Sequence, residues 1–126
     1  MTIPKFRAWD KKCNEMFKDT FAITESGQVI IVEQKSVFDT PEYVFTDDLI
    51  IMQSTGLADE NGKEIFEGDV VHAYGEDTYL IGVIEYFDNS YCIKSKNGIY
   101  NLLWTNAEQY EIIGNIYENT ELVEEK

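Results

Sequence analysis

The chain is poor in the residues that build metal and redox sites, with two cysteines and one histidine among 126 residues. Cys13 and Cys92 lie far apart and lack CxxC spacing, which excludes a zinc ribbon or a redox dithiol and leaves free thiols as the expectation. Two prolines and eight glycines are too few for a disordered or low-complexity chain. No apolar run approaches the ~18 residues of a membrane span, and "MTIPKFRAWDKKC" holds no signal-like apolar stretch, so a soluble cytoplasmic protein is expected. Basic residues are scarce as well, at ten against 24 acidic ones, for a net charge of -14. They are also unevenly placed. Residues 1 to 18 carry +3 (Lys5, Arg7, Lys11, Lys12 and Lys18 against Asp10 and Glu15), and the rest carries -17. Most of the molecule would repel a phosphate backbone over about a Debye length, ~8 Å at physiological salt. Direct binding of nucleic acid is therefore not expected.

What is present suits a compact β protein. Apolar residues make up 44% of the chain and aromatics 13%, enough for a modest core without disulfides or metal. "IPKFRAW" alternates and reads as a strand with Phe6 and Ala8 inward and Lys5, Arg7 and Trp9 outward; the polar "DKKCN" turns the chain. "FAIT" and "QVIIVEQ" flank "ESG" as a hairpin with Gly27 at positive φ, and "KSVFDTPE" is an irregular connection because Pro41 cannot donate to a ladder. "EYVFTDDLIIMQ" reads as a strand rather than a short helix, and Ser54 to Asp69 as loop throughout.

Beyond it, "DVVHAY", "TYLIGVIEYF", "SYCIKSK", "IYNLLW" and "EIIGNIYE" are five strand-like runs with short connections, which suits a small, strongly bent SH3-like β-barrel. In the longest run Ile81, Val83 and Phe87 fall on one face and are expected to pair in register with Tyr91 and Ile93 across a turn at Asp88-Asn89, and Gly82 opposite them invites a bend or bulge. "TNAEQY" has the makings of one helical turn, and the acidic tail would fray unless Leu122 docks. The expected organisation is an N-terminal β-hairpin region over residues 1–53, the SH3-like barrel over 54–119 and the tail over 120–126, all mainly β.

Three blocks, "PKFRAWDKK", "MQSTGLADENGKEIFEGDVV" and "IIGNIYENTELV", resemble in order the YopX family of small phage and prophage proteins. Ser54 stands where an aromatic is commoner, and Thr120 where proline is commoner. The resemblance implies an SH3-type barrel in the C-terminal part and a bacterial host cell as the setting. It supplies no catalytic residue and no cofactor.

The residues of the middle block weigh against a metal or phosphate site. Asp59, Glu60, Glu64, Glu67 and Asp69 could offer oxygen ligands to a hard cation, but their spacing is not that of a calcium loop. Lys63 alone among five carboxylates cannot cradle phosphate. The favoured reading is structural: Asn61-Gly62 and Gly68-Asp69 are two sharp turns at the entrance to the barrel, with Ile65 and Phe66 anchoring them. His72 is expected at an exposed strand position and Cys92 as a packed small residue, since the sequence specifies no orienting group or nucleophile for the one and no histidine of defined relation for the other. No catalytic, metal or cofactor residue is assigned. Arg7, Trp9, Tyr74, Tyr79 and Tyr86 are the candidate binding surface, because aromatics and arginine dominate protein interfaces. The expected function is a non-enzymatic module that binds protein, either itself as a homo-oligomer or a host factor. The alternative is an acidic nucleic-acid mimic that inhibits a host DNA-binding enzyme.

Overall fold

The computed structural model describes residues 4–74, 79–95, 98–101, 109–119 and 121, with the backbone alone described at 74, 79, 99–101 and 109. The regular elements among them are strands, as the density of Val, Ile, Tyr and Phe between turn residues requires. They are β1 (Phe6–Asp10), β2 (Glu15–Met16), β3 (Phe21–Ile23), β4 (Val29–Glu33), β5 (Glu42–Thr46), β6 (Leu49–Ala58), β7 (Glu64–Phe66), β8 (Asp69–Tyr74), β9 (Tyr79–Phe87), β10 (Ser90–Ser95), β11 (Gly98–Asn101) and β12 (Gln109–Asn115). They form three antiparallel sheets, ordered β2-β1-β6-β7, β3-β4-β5 and β11-β10-β9-β8-β12. The protein is mainly β, and one sheet is a curled half-barrel. The chain divides into two compact units: Ala8–Ile51, and Met1–Arg7 with Met52–Lys126. The tail residue Leu122 and most of "TNAEQY" lie outside the described residues.

In the unit Ala8–Ile51 the polar turns are held by their own side chains. Asp10 Oδ1 accepts the backbone N–H groups of Lys12 and Cys13, and Asn14 closes that turn at φ +57°. The β3–β4 hairpin turns at Gly27, φ +88°, with Thr24 Oγ1 accepting the Gln28 N–H. "EYVFTDDLIIMQ" is strand as expected but not one strand. Thr46 Oγ1 accepts the Asp48 N–H, and this turn separates β5 from β6. Ala8 and Trp9 are adjacent on β1, hence on opposite faces, and both are buried, at 1% and 5% exposure. The expected alternation on β1 therefore fails. Trp9, assigned to the outer face, is core, and Phe6, assigned inward, is 41% exposed.

The core of the other unit is Ile65, Val71, Ala73, Ile84 and Ile93, with Leu57, Leu80, Tyr91, Tyr110 and Ile112 packed on it. The stretch from Ser54 to Asp69 is not all loop: β6 runs on to Ala58 and pairs with β7, with a register shift between Ser54 and Ala58 that contains Gly56. Asp88 and Asn89 both take positive φ, +51° and +66°, and join β9 to β10 in a two-residue turn of the kind that matches strand twist. The register expected for β9 does not hold: Tyr91 stands opposite Tyr86 and Ile93 opposite Ile84, so the face of Ile81, Val83 and Phe87 is not the one that meets them. Ile84 is buried and Gly82 lies on its side, whereas Ile81 and Phe87 are exposed at 39% and 53%. A glycine on the buried side lowers that face's apolar content, so hydrophobicity alone selects the wrong one. Gly82 makes no bulge and pairs regularly with Val71. The irregularity lies in β12, between Ile112 and Gly114.

Candidate interaction surfaces

The middle block is built around two carboxylates. Asp59 Oδ1 accepts the N–H groups of Asn61 and Lys63, both at 2.9 Å, and Oδ2 accepts that of Ile112 at 3.2 Å. Gly62, φ +83°, completes the turn by donating to the Asp59 carbonyl. Burial opposes ionisation of Asp59, but the N–H groups of Lys63, Ile112 and Asn61 outweigh it and hold the carboxyl below its ordinary range.

Six residues on, Gly68 takes φ +85°, which a side chain would disfavour, and donates to the Ile84 carbonyl. Asp69, 1% exposed, accepts the Phe66 N–H at 2.8 Å and the Arg7 Nη2 at 2.6 Å. The Arg7 guanidinium also stands 4.7 Å from the centre of the Phe66 ring. Burial pushes the Asp69 carboxyl up, against the opposing pull of the Phe66 N–H and Arg7.

These bonds decide what the block can do. Glu67 Oε1 accepts the Gln53 N–H, and Glu64 faces Lys5 at 3.7 Å, so Asp59, Glu64, Glu67 and Asp69 each serve a bond within the chain. Among the described residues no three metal-ligating side chains converge. Arg7, placed on the candidate binding surface, has its guanidinium committed to Asp69, with a side chain 25% exposed. Trp9 is removed from that surface by burial. His72, expected to be exposed, is half-buried on β8 between Ile81 and Glu111. Cys92 is buried, with its Sγ near the carbonyls of Phe87 and Ser90.

Of the tyrosines, Tyr86 is 56% exposed and packs edge-on against Tyr91, its cross-strand neighbour, at 5.1 Å between ring centres. Burial raises the Tyr91 phenol above its ordinary range, with smaller contributions from Glu67 and Tyr86. The backbones of Tyr74 and Tyr79 pair across β8 and β9, and their side chains lie outside the described residues.

The unit Ala8–Ile51 presents a surface that sequence reasoning passed over. Phe38 is 94% exposed, Val37 84%, Tyr43 68% and Phe45 63%. Beside Phe45 an open cleft of about 370 Å³ is lined by Gln28, Val29, Asp47 and Leu49. The available signal was "EYVFT" itself, three large residues in succession just after a proline. Tyr43 and Phe45 share one face of that strand and leave it without a polar residue, and Pro41 suits the border of an edge strand.

A model of the YopX protein family matches residues 5–124. No curated protein matches the chain. Among solved structures it is similar to protein EF1440 from Enterococcus faecalis, with 29% identity, a TM-score of 0.65, and 98% of this chain and 100% of that one covered. It is also similar in fold to protein yopX from Bacillus subtilis, with 18% identity, a TM-score of 0.66, and 94% and 97% covered. The chain belongs to the YopX family.

Proposed function

We propose that this protein is a non-enzymatic phage or prophage accessory module that works in the bacterial cytoplasm by binding protein, with the five-stranded half-barrel as an SH3-like domain. The observation that carries the reading is the exposure of Phe38, Tyr43 and Phe45 together with Val37. Tyr43 and Phe45 stand side by side on one face of β5, and exposed neighbouring aromatics of this kind mark interaction surfaces. The polar clusters point the same way. The Asp59 and Asp69 carboxylates are occupied by backbone N–H groups and Arg7, which makes them turn-builders rather than acids or bases. No cofactor enters this reading.

The test is a pull-down from host cells, washed in moderate salt and then challenged with duplex DNA. A partner retained through both steps, and lost when Phe38, Tyr43 and Phe45 are replaced by serine, supports the reading. Release of a basic DNA-binding enzyme by the DNA would overturn it in favour of a nucleic-acid mimic.

A further inference from the structure

We infer that β5 is a self-complementary edge through which two copies of this chain join their three-stranded sheets into one six-stranded sheet. The inference rests on the protein-binding reading and names the partner as a second copy. β5 is the outer strand of the order β3-β4-β5, and its five residues pair in register with β4, from Val29 opposite Thr46 to Glu33 opposite Glu42. That ladder engages one row of its backbone groups, and no other strand among the described residues pairs with the second row, a template for a further strand.

The sequence of β5 then selects the register. In a two-fold antiparallel pair, opposed residues share a face and one residue faces its own copy. Centred on Phe45, such a pair would set Glu42 against Asp48 of the second copy and Tyr43 against Asp47, bringing carboxylates together. Centred on Tyr43, it would draw Pro41 into the ladder opposite Phe45. Centred on Val44, it sets Tyr43 against Phe45 twice, Glu42 against Thr46 twice, and Val44 against itself. Aromatic cross-strand pairs stabilise a sheet, and here no like charges stand opposite each other.

The exposed surface suits a contact of modest size. With Tyr43 68% and Phe45 63% exposed, and about 200 Å² available per ring, the four rings of two copies hold roughly 500 Å² to bury. Val44, 43% exposed, adds to this at the axis. The total falls short of a stable-dimer interface of ~1,200 Å² or more, so the pair is weak and reversible.

Single cysteines in a Cys13→Ser background test the register, because Cys92 is buried. Val44→Cys places two thiols on facing residues, with Cα atoms about 5 Å apart, and mild oxidation should yield a disulfide dimer. Glu42→Cys places its two thiols four residues apart along the ladder, about 14 Å, beyond the ~7 Å limit of a disulfide, and should cross-link at least ~10-fold less. Sedimentation of the uncross-linked protein in 0.5 M salt should show dimer at a few hundred micromolar, and Val44→Lys, with an unchanged circular dichroism spectrum, should weaken it at least tenfold. Equal cross-linking at 42 and 44, a monomer at all concentrations, or a Val44→Lys dimer of unchanged affinity would each overturn the inference. A monomer that still retains a partner in the DNA-challenged pull-down would overturn this contact and leave the broader reading standing.

Discussion

Replacing Gly82 by alanine tests the reading of how the half-barrel curls. A Cβ built on Gly82 would lie 2.6 Å from Ile93 Cγ2, 2.7 Å from the Lys94 carbonyl oxygen and 2.9 Å from the Lys94 carbonyl carbon. Carbon atoms in good contact sit at about 3.5–4.0 Å, so β10 would have to retreat by about 1 Å along a paired strand. The obstruction is largely backbone, which has no rotamer to escape into. Overpacking of this kind costs about 1–3 kcal/mol, and the two backbone atoms place Gly82→Ala at the upper end, near 3. Gly62 is the control: nothing lies within 4 Å of its Cβ position, but it holds φ +83°, so alanine there should cost only the ~1–2 kcal/mol of a left-handed residue. Both variants would be unfolded in urea and followed by circular dichroism, with the wild type alongside. Gly82→Ala should be the less stable of the two. If it proves as stable as the wild type, or more stable than Gly62→Ala, close approach is not why glycine stands at 82.

Other substitutions separate the remaining contributions. Asp69→Ala removes the acceptor of Phe66 N–H and strands a partly buried Arg7, so it should cost about 2–3 kcal/mol, whereas loss below 0.5 would show the pair to be dispensable. Gly68→Val meets both a left-handed φ and Met52 Sδ at 3.1 Å, and urea denaturation should show a loss of at least ~2 kcal/mol. Asp59 has a lowered folded pKa, so its contribution is present above its unfolded value near 3.9 and is lost as pH falls through the folded one. Asp69 is raised and acts with the opposite sign, adding stability as pH falls from its folded pKa toward ~3.9. Asp59→Asn should therefore flatten the acid limb of stability between pH 5 and the lower end of the native range, and an unchanged limb would count against the bonding described at Asp59. Adding EDTA should leave the melting temperature unchanged; a fall of several degrees would reveal a metal site.

The elements that were legible in the sequence are those whose signals are local. Gly27 and Asp88-Asn89 announce turns through their own backbone preferences, and each strand-like run of the C-terminal half contains a strand. What was not legible depends on neighbours remote in sequence. Trp9 lies within a charged, alternating segment that reads as a surface strand, yet β1 is covered on both faces where Ala8 and Trp9 stand, and no residue near it in sequence signals that. The face of β9 was misassigned because Gly82 contributes nothing to hydrophobicity while its bareness is what admits β10. Arg7 looked like a free cation because its partner, Asp69, stands 62 residues away. The exposed edge at β5 was missed for the converse reason, since "EYVFT" has the apolar content of a buried strand.

These placements set the sign with which salt acts on self-association. If the +3 segment at residues 1 to 18 docked on the acidic remainder of a second copy, association would weaken as salt screened the attraction. Of that segment's five bases, Arg7 is turned inward to Asp69 and the exposed Lys5 pairs at the surface with Glu64, and Trp9 is buried. Lys11, Lys12 and Lys18 are exposed as well, but they are few against the -17 carried by residues 19 to 126. Around β5 the nearby charges are mostly Glu33, Glu42, Asp47 and Asp48, so two copies meeting there repel one another. Screening should then assist the contact: self-association ought to tighten as the Debye length falls from ~30 Å at 0.01 M to ~3 Å at 1 M. The same repulsion has a use at low salt, where it keeps an apolar edge strand from unselective pairing, as charged flanks do on natural sheet edges. Sedimentation equilibrium across that salt range reads the sign directly. A dimer that dissociates as salt rises would restore the basic segment as the contact and remove β5 from it.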